Sequence, residues 1–411
     1  MSAESHGANV PASRWLSIVG IGENGIAGLG DEAKRLISSA EIVFGGKRHL
    51  ELAAGLISGE AWPWPTPFDT ARVEQSAGRP VCVLASGDPF LHGVGATLAR
   101  RIPFEEMQVI PAPSAFSLAA ARLGWALRDV EALSLHGKPL SLIRPHLHPG
   151  RKLLCLTSNA EGPAAVAGLL ARFGFGPSRM IVLEAMGGPH EKVRAARADT
   201  FALENINALN LLAIELEATR EAEILPLTAG LSDDCFEHDG QITKREIRAL
   251  TLSALAPRRG ELLWDVGAGA GTVAIEWMLA DPSMRAVAIE VNSERAARIR
   301  RNAEALGVPD LRVVEGTAPA ALAGLEQPQA IFIGGGGSDP GVLEAAIAAL
   351  GPGGRLVANA VTLEMEALLL ARHAELGGEL TRIALSRAAP VGSMSGWRPA
   401  MPVTQWSWRK P

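Results

Sequence analysis

Two glycine-bearing turns of different kinds, each following an apolar strand-like run, constrain this chain most. The run 15–20 leads into Gly20-Ile21-Gly22-Glu23-Asn24-Gly25, and the run 261–266 leads into Gly267-Ala268-Gly269-Ala270-Gly271-Thr272. Glycine at a strand-to-helix turn lets the backbone pass close to a neighbour or a ligand. The two spacings differ, so the halves are not copies of one repeat. Strand-like and helix-like runs alternate around both turns, which predicts an α/β chain of parallel sheets covered by helices. Further strands are expected at 41–44, 80–85, 107–111, 152–157, 180–184 and 208–216, with helices at 31–40 and 114–123. The periodicity then lapses over 221–240, which is rich in turn formers and acids and reads as a connector. Beyond it, apolar spacing predicts a helix over 243–255, opened by a capping box of Thr243 and Glu246. Strands follow at 286–290, 311–314, 330–333 and 354–358, and 379–387 and 402–408 read as a closing antiparallel pair. The domains expected are 14–222 and 239–411, joined by 223–238.

Composition narrows the class. A chain of 411 residues holds two to three domains at about 100–200 residues each. With 47% hydrophobic residues it is not wholesale disordered, and a net charge of −5 leaves no basic footprint for a nucleic-acid partner. Tyrosine is absent, so no phenol serves as acid, base or nucleophile. Cys82, Cys155 and Cys235 are far apart and form no CxxC, which speaks against a metal site or disulfide framework. Cys82 and Cys155 lie in apolar runs and read as buried, inert thiols. The first 14 residues lack a charged start followed by an apolar stretch and read as a frayed tail. No run approaches the ~18 uncharged residues that span a bilayer. A soluble, cytoplasmic protein without a membrane partner is expected.

The second glycine turn has the more specific chemistry. A dinucleotide fold uses GxGxxG, with the pyrophosphate on the helix N-terminus. Here Asp265 lies two residues before the first glycine, giving D-x-G-x-G-x-G. That is the pattern of S-adenosylmethionine (SAM) methyltransferases. Glu290 ends the next strand, 19 residues after Gly271, where a carboxylate can accept both ribose hydroxyls. In the first half, Ser86-Gly87-Asp88-Pro89 and Pro111-Ala112-Pro113-Ser114-Ala115 each follow a strand-like run. With the turn at Gly20–Gly25 they mark strand carboxyl ends, where open α/β sheets bind ligands.

Longer strings carry a resemblance. Thr243-Lys244-x-Glu246-x-Arg248, WDVGAGAGTVAIE, AIE-x-N at 288–292, V-x-EGTAP at 313–319, IFIGGGG at 331–337 and PGGRLV-x-NAVTLE at 352–364 resemble the cobalamin-pathway methyltransferase and decarboxylase acting on precorrin-6B. The first half resembles the tetrapyrrole methylase family, and its GIGENG-x-x-GL and VFGGKRHL strings are similar to the subgroup that methylates cobalt-free precorrin-6 intermediates. The order of the halves resembles the fused C5,15-methyltransferases of that pathway. The resemblance implies a tetrapyrrole methylase (class III methyltransferase) fold followed by a Rossmann-like class I SAM methyltransferase fold. It implies two SAM sites per chain, S-adenosylhomocysteine as product, and a small-molecule tetrapyrrole as substrate. Carbon 5 would be methylated by the first half; carbon 15 methylation and loss of the ring C acetate carboxyl would belong to the second, giving precorrin-8X. A homo-oligomer is implied as well, with the tetramer of the separate second-half proteins as its precedent.

Carried over residue by residue, cofactor contacts fall on Gly22, Glu23, Gly87, Asp88, Leu91, Ser114, Ala115 and Ala213, with Thr157 or Ser158 beside them. In the second half they fall on Thr243, Gly267, Ala268, Gly269, Ala270, Gly271, Glu290 and Ala318. Methyl transfer from a sulfonium needs positioning and exclusion of water, with at most one proton acceptor. No residue is fixed as catalytic; His92 and Arg398 are candidates. A polycarboxylate substrate calls for cations at the rim, and Lys244, Arg245, Arg248, Arg387 and Arg398 are the candidates, with Arg398 in a Gly/Ser-rich loop that could cover a flat substrate. His49 belongs to the 45–50 turn, and His146 and His148 read as a surface loop. The competing expectation is an RNA or protein methyltransferase, since both folds also host those activities. No basic run and no N/D-P-P-Y/F motif accompanies it. A SAM-binding sensor is the third, with no effector module left over to serve it.

Overall fold

The structure is a computed structural model that describes residues 14–411; the tail expected before residue 14 lies outside the described residues. The described residues divide into two compact units, 14–138 with His148–Glu223, and Pro139–Leu147 with Ile224–Pro411.

The first unit contains two five-stranded sheets. One is wholly parallel, in the order β3-β2-β4-β1-β5, from β1 (Leu16–Ile21), β2 (Ile42–Gly45), β3 (Glu60–Pro63), β4 (Val81–Ser86) and β5 (Met107–Ile110). Successive side chains alternate between faces. Leu16, Ile18, Val81 and Val83 pack on one side, and Val19, Ile21, Cys82 and Leu84 on the other. Both faces are therefore covered, as a parallel sheet requires. The other sheet, β6-β7-β10-β8-β9, departs from the parallel expectation. It comprises β6 (Val130–Ser134), β7 (Lys152–Leu156), β8 (Arg179–Glu184), β9 (Lys192–Arg197) and β10 (Asn210–Glu215). Only β6 and β7 are parallel; β7–β10, β10–β8 and β8–β9 are antiparallel. The short link from Glu184 to Lys192 is the reason, because it holds no crossover helix and the chain turns straight back. Burial pushes the Cys82 and Cys155 thiols up to about 12, so both are inert, while Cys235 is exposed.

The second unit is built on a seven-stranded sheet, β13-β12-β11-β14-β15-β19-β16. Its parallel part is β11 (Leu262–Val266), β12 (Arg285–Glu290), β13 (Arg312–Glu315), β14 (Ala330–Ile333) and β15 (Arg355–Ala360). β16 (Glu379–Ile383) and β19 (Val403–Arg409) close it as an antiparallel pair. Trp406 and Trp408 pack on the face that holds Trp264, Ile331 and Leu356. The residues between the closing strands are not a loop. They form a separate hairpin of β17 (Ser386–Val391) and β18 (Met394–Pro399), so Arg398 lies in a strand.

Three further expectations are corrected. The second-unit helix runs Arg245–Leu255 with Lys244 as N-cap and no side-chain cap, so Thr243 does not cap it. The stretch expected as a connector is packed into the second unit: Leu225, Leu231 and Phe236 join its core, and Gly230 N and Leu231 N donate to the Glu276 carboxylate at 2.6 and 3.0 Å. The His146 region is no free surface loop. It is a 3-10 helix, Leu140–His146, whose Pro145 lies against Gly307 at the end of helix Ser293–Leu306.

Candidate functional site

In the second unit the chain leaves β11 toward β12 on one side and leaves β14 toward β15 on the other. The carboxyl ends of β11 and β14 therefore flank the topological switch point, where open α/β sheets form ligand crevices. A cavity of about 570 Å³ opens there, lined by Gly267–Gly269 after β11, Glu290 at the end of β12 and Gly334–Gly336 after β14. That volume is in the range of small-molecule sites. The glycine turn is dictated by packing against protein. At Gly267, with φ +68°, a Cβ would lie 2.4 Å from the Gly335 carbonyl oxygen; at Gly271, with φ +76°, it would lie 2.7 Å from Ile299 Cγ2. An L side chain at either position meets both strain and a clash.

Glu290 is 4% exposed and points its carboxylate at this turn. Oε2 accepts from Gly269 N at 2.8 Å and Oε1 from Asn292 N at 3.0 Å. A carboxylate has about four lone-pair sites, so two remain for hydroxyl donors from the cavity. A buried carboxylate with spare acceptor capacity, beside a glycine wall, fits the ribose end of SAM. Asp265 lies behind the turn. Its Oδ2 accepts from Ala274 N at 3.0 Å, and its Oδ1 is buried without a partner. Burial, with Glu290's charge adding and the Ala274 amide opposing, pushes its carboxyl up to about 7.

Of the second-half contacts expected, Thr243, Gly267, Ala268, Gly269, Glu290 and Ala318 line the cavity. Ala270 and Gly271 do not. Ala270 is buried, its carbonyl accepting from Asn302 Nδ2 at 3.0 Å, and Gly271 caps helix Thr272–Leu279. Lys244 and Arg387 line the cavity, while Arg245 and Arg398 are not among its lining residues. Arg248 is withdrawn from the substrate altogether. Fully buried, it bonds Glu276 through Nε at 2.5 Å, Asp233 at 3.1 Å, and the carbonyls of Thr243 and Leu231. The Gly334–Gly336 wall went unassigned from sequence; the IFIGGGG run after an apolar strand was its signal.

In the first unit, β1 lies between β4 and β5. Their carboxyl-end loops meet: Gly87 N donates to Ile21 O at 3.2 Å, and Ala112 N donates to Gly87 O at 3.1 Å. This draws Gly22, Glu23, Gly87, Asp88 and Ser114 into one region. Asp88 Oδ1 accepts from Phe90 N at 2.8 Å, so its side chain closes its own turn. Ser114 caps helix Ala115–Leu123 by accepting from Ser117 N at 3.1 Å, and Ala115 opens that helix. Leu91 is exposed, and the ring of His92 meets Phe116 edge-on at 6.1 Å. Burial first and Lys138 second hold the His92 imidazole below its ordinary value. Sequence reasoning missed the group around Arg48. Nη1 of Arg48 pairs with Glu23 at 2.5 Å, and Nη2 reaches Ser86 Oγ at 3.2 Å. His49 Nε2 lies 2.7 Å from the same hydroxyl, and burial with the Arg48 charge pushes that histidine down to about 4.

The remaining expected contacts are engaged with the protein itself, and Ala115 packs against the cluster that holds Ala213. Ala213 is fully buried in the middle of β10, among Phe116, Leu154 and Ile181, because an apolar strand centre packs into the core. Thr157 donates to Asn210 Oδ1 at 2.6 Å, and Ser158 Oγ accepts from Gly137 N at 2.8 Å, so both hydroxyls serve loop structure. Among the described residues no group of three His, Cys, Asp or Glu side chains could hold a metal ion, and no helix is long and apolar enough to cross a membrane.

Known proteins resemble the chain along its length. Residues 16–202 match the tetrapyrrole (corrin/porphyrin) methylases, and residues 234–410 match the precorrin methyltransferase domain. Precorrin-6Y C(5,15)-methyltransferase [decarboxylating] of Sinorhizobium sp is 64% identical over 400 residues, 97% of each chain. The protein of the same name from Mycobacterium tuberculosis is 42% identical over 398 residues, 95% of this chain and 99% of its own. A probable cobalt-precorrin-6B C(15)-methyltransferase (decarboxylating) of Pyrobaculum calidifontis is 37% identical over 172 residues, 40% of this chain and 88% of its own. With the tetrapyrrole methylase and precorrin methyltransferase domains in this order, and relatives this similar over nearly its full length, the chain belongs to the precorrin-6Y C(5,15)-methyltransferase (decarboxylating) family.

Proposed function

We propose that this chain is a SAM-dependent enzyme of cobalamin biosynthesis that methylates precorrin-6Y at carbons 5 and 15 and removes one carboxyl group as carbon dioxide. The observation that carries the reading is the cavity beside Glu290, whose carboxylate keeps acceptor capacity facing a glycine wall. Bound there, SAM supplies an activated methyl group that needs no metal to leave. The chain's own residues do the rest. Glu290 holds hydroxyl donors, Gly267–Gly269 form a wall without side chains, and Lys244 and Arg387 place positive charge at the cavity for substrate carboxylates. Ile247, Ile383, Leu385, Met401 and Val403 form an apolar wall against which a carboxylate is poorly solvated; its loss as carbon dioxide leaves the electron pair of the broken C–C bond in the conjugated macrocycle, and a proton from solvent takes the carboxyl's place.

The finer division is part of the proposal. The first unit, with loops of β1, β4 and β5 converging, binds a second SAM and treats carbon 5. The second unit treats carbon 15 and decarboxylates. Its support is the Pyrobaculum protein, which is named for carbon 15 methylation with decarboxylation and matches only 40% of this chain. A homo-oligomer in the cytoplasm is the setting proposed, and light scattering on the purified chain reads the oligomer. The relatives' names give no support to an RNA- or protein-methylating activity. The test supplies the tetrapyrrole and SAM and follows carbon dioxide and the product's methylation pattern. Asp88→Ala should lose methylation at carbon 5, and carbon dioxide release should return when the carbon-5-methylated intermediate is supplied. Release still absent under those conditions refutes the division of labour.

A further inference from the structure

We propose that the β17–β18 hairpin is a substrate-holding arm on which Arg387 and Arg398 together grip one peripheral carboxylate of the tetrapyrrole. The inference rests on the function proposed above. In the hairpin register Arg387 stands directly opposite Arg398. Directly opposed residues of an antiparallel pair share a face with their side chains adjacent, and like charges there are destabilising. One acid answers the two guanidinium groups: Glu246 pairs with Arg387. Arg398 has no ion-pair or hydrogen-bond partner among the described residues. The hairpin itself holds no acidic residue. Arg387 lines the cavity that contains the Glu290 turn, so the charged end of the arm is continuous with the site.

The same face explains the rest of the arm. Alternation along the strands puts Ala389 and Gly396, which are paired, next to the arginines, and Val391 and Met394, also paired, at the tip. Val391 and Met394 are 61% and 75% exposed. Two cations, a smooth step of small residues and an apolar end match a flat, apolar macrocycle edged with carboxylates. An arginine fork can bind a carboxylate bidentately, and two of them side by side on one face offer it more donors than one does.

The experiment is steady-state kinetics of the full chain with precorrin-6Y at saturating SAM, alongside calorimetric titration with S-adenosylhomocysteine. Arg398→Ala should raise KM for the tetrapyrrole about tenfold, the loss of one charge-assisted contact, with kcat within about twofold and cofactor affinity unchanged. Arg398→Lys should recover part of the loss, and Arg398→Glu should exceed it. Raised salt should lift KM of the wild type more than that of Arg398→Ala. A KM for Arg398→Ala equal to the wild type's overturns the arm. A fall in kcat alone, at unchanged KM, overturns it too. Wild-type protein that converts no tetrapyrrole overturns the function itself, and the arm with it.

Discussion

Replacing Glu290 with glutamine removes one acceptor oxygen at constant shape. In the protein as it stands, each carboxylate oxygen accepts one backbone amide, Gly269 N at 2.8 Å and Asn292 N at 3.0 Å. A glutamine amide has one oxygen and one NH2, so whichever way it turns, a donor faces one of those two N–H groups. Two costs follow. Leaving a buried amide unmet costs about 1–3 kcal/mol of stability. The cofactor's ribose loses at least one bond to a charged acceptor, about 1.5–3 kcal/mol, or a factor of roughly 10–150 in affinity. Calorimetric titration of S-adenosylhomocysteine into the full chain reads the second cost. Wild type should show two sites; Glu290→Gln should keep one unchanged and weaken the other by that factor. Thermal melting reads the first cost separately. Two sites of unaltered affinity in a folded Glu290→Gln protein would refute both the ribose assignment and the second-unit cofactor site.

Arg248→Ala should destabilise the second unit by about 3–5 kcal/mol, because it strands the buried Glu276 carboxylate without its cation. Urea unfolding followed by tryptophan fluorescence measures it, and a loss under about 1 kcal/mol contradicts the buried network. Asp265 is held up at about 7 against an unfolded value of 3.8. Between those pH values the folded protein keeps a proton that the unfolded chain has lost, so stability falls as pH rises through the window. Asp265→Asn has no such proton; its stability relative to wild type, without ligand, should climb from about pH 4 to about pH 7 and level off. A pH-independent difference contradicts the buried, protonated carboxyl.

Much of this was legible in the sequence because local chemistry dictated it. Asp265, the Gly267–Gly271 turn and Glu290 stand at fixed offsets, and the strands that position them are unbroken apolar runs. Antiparallel pairing in the first unit was not legible, since a strand buried on both faces reads the same whichever way its neighbours run. β9, with Lys192, Arg194 and Arg197 in six residues, has no apolar run to find. The β17–β18 hairpin hid for another reason. Its glycine, serine and proline content signals a loop, while main-chain pairing across Gly392 makes it a strand pair. Arg248 misled because a lone arginine reads as surface, and its burial depends on Asp233 and Glu276, 15 and 28 residues away.

The clasp between the 224–240 stretch and helix Thr272–Leu279 sets where this chain can be divided. Glu276 receives two amides from Gly230 and Leu231, and Arg248 ties the Leu231 carbonyl and Asp233 back to the same carboxylate. A protein begun at Asp239, where the periodic pattern resumes, would lose Leu225, Leu231 and Phe236 from its core and leave Glu276 with Arg248 alone. One begun at Ile224 keeps every member of the clasp and gives up only Pro139–Leu147, the short segment that also belongs to this unit. A cut upstream of the stretch therefore costs the second unit less than a cut downstream of it. The apparent linker is structurally the edge of the second unit's core, not a tether between two finished bodies.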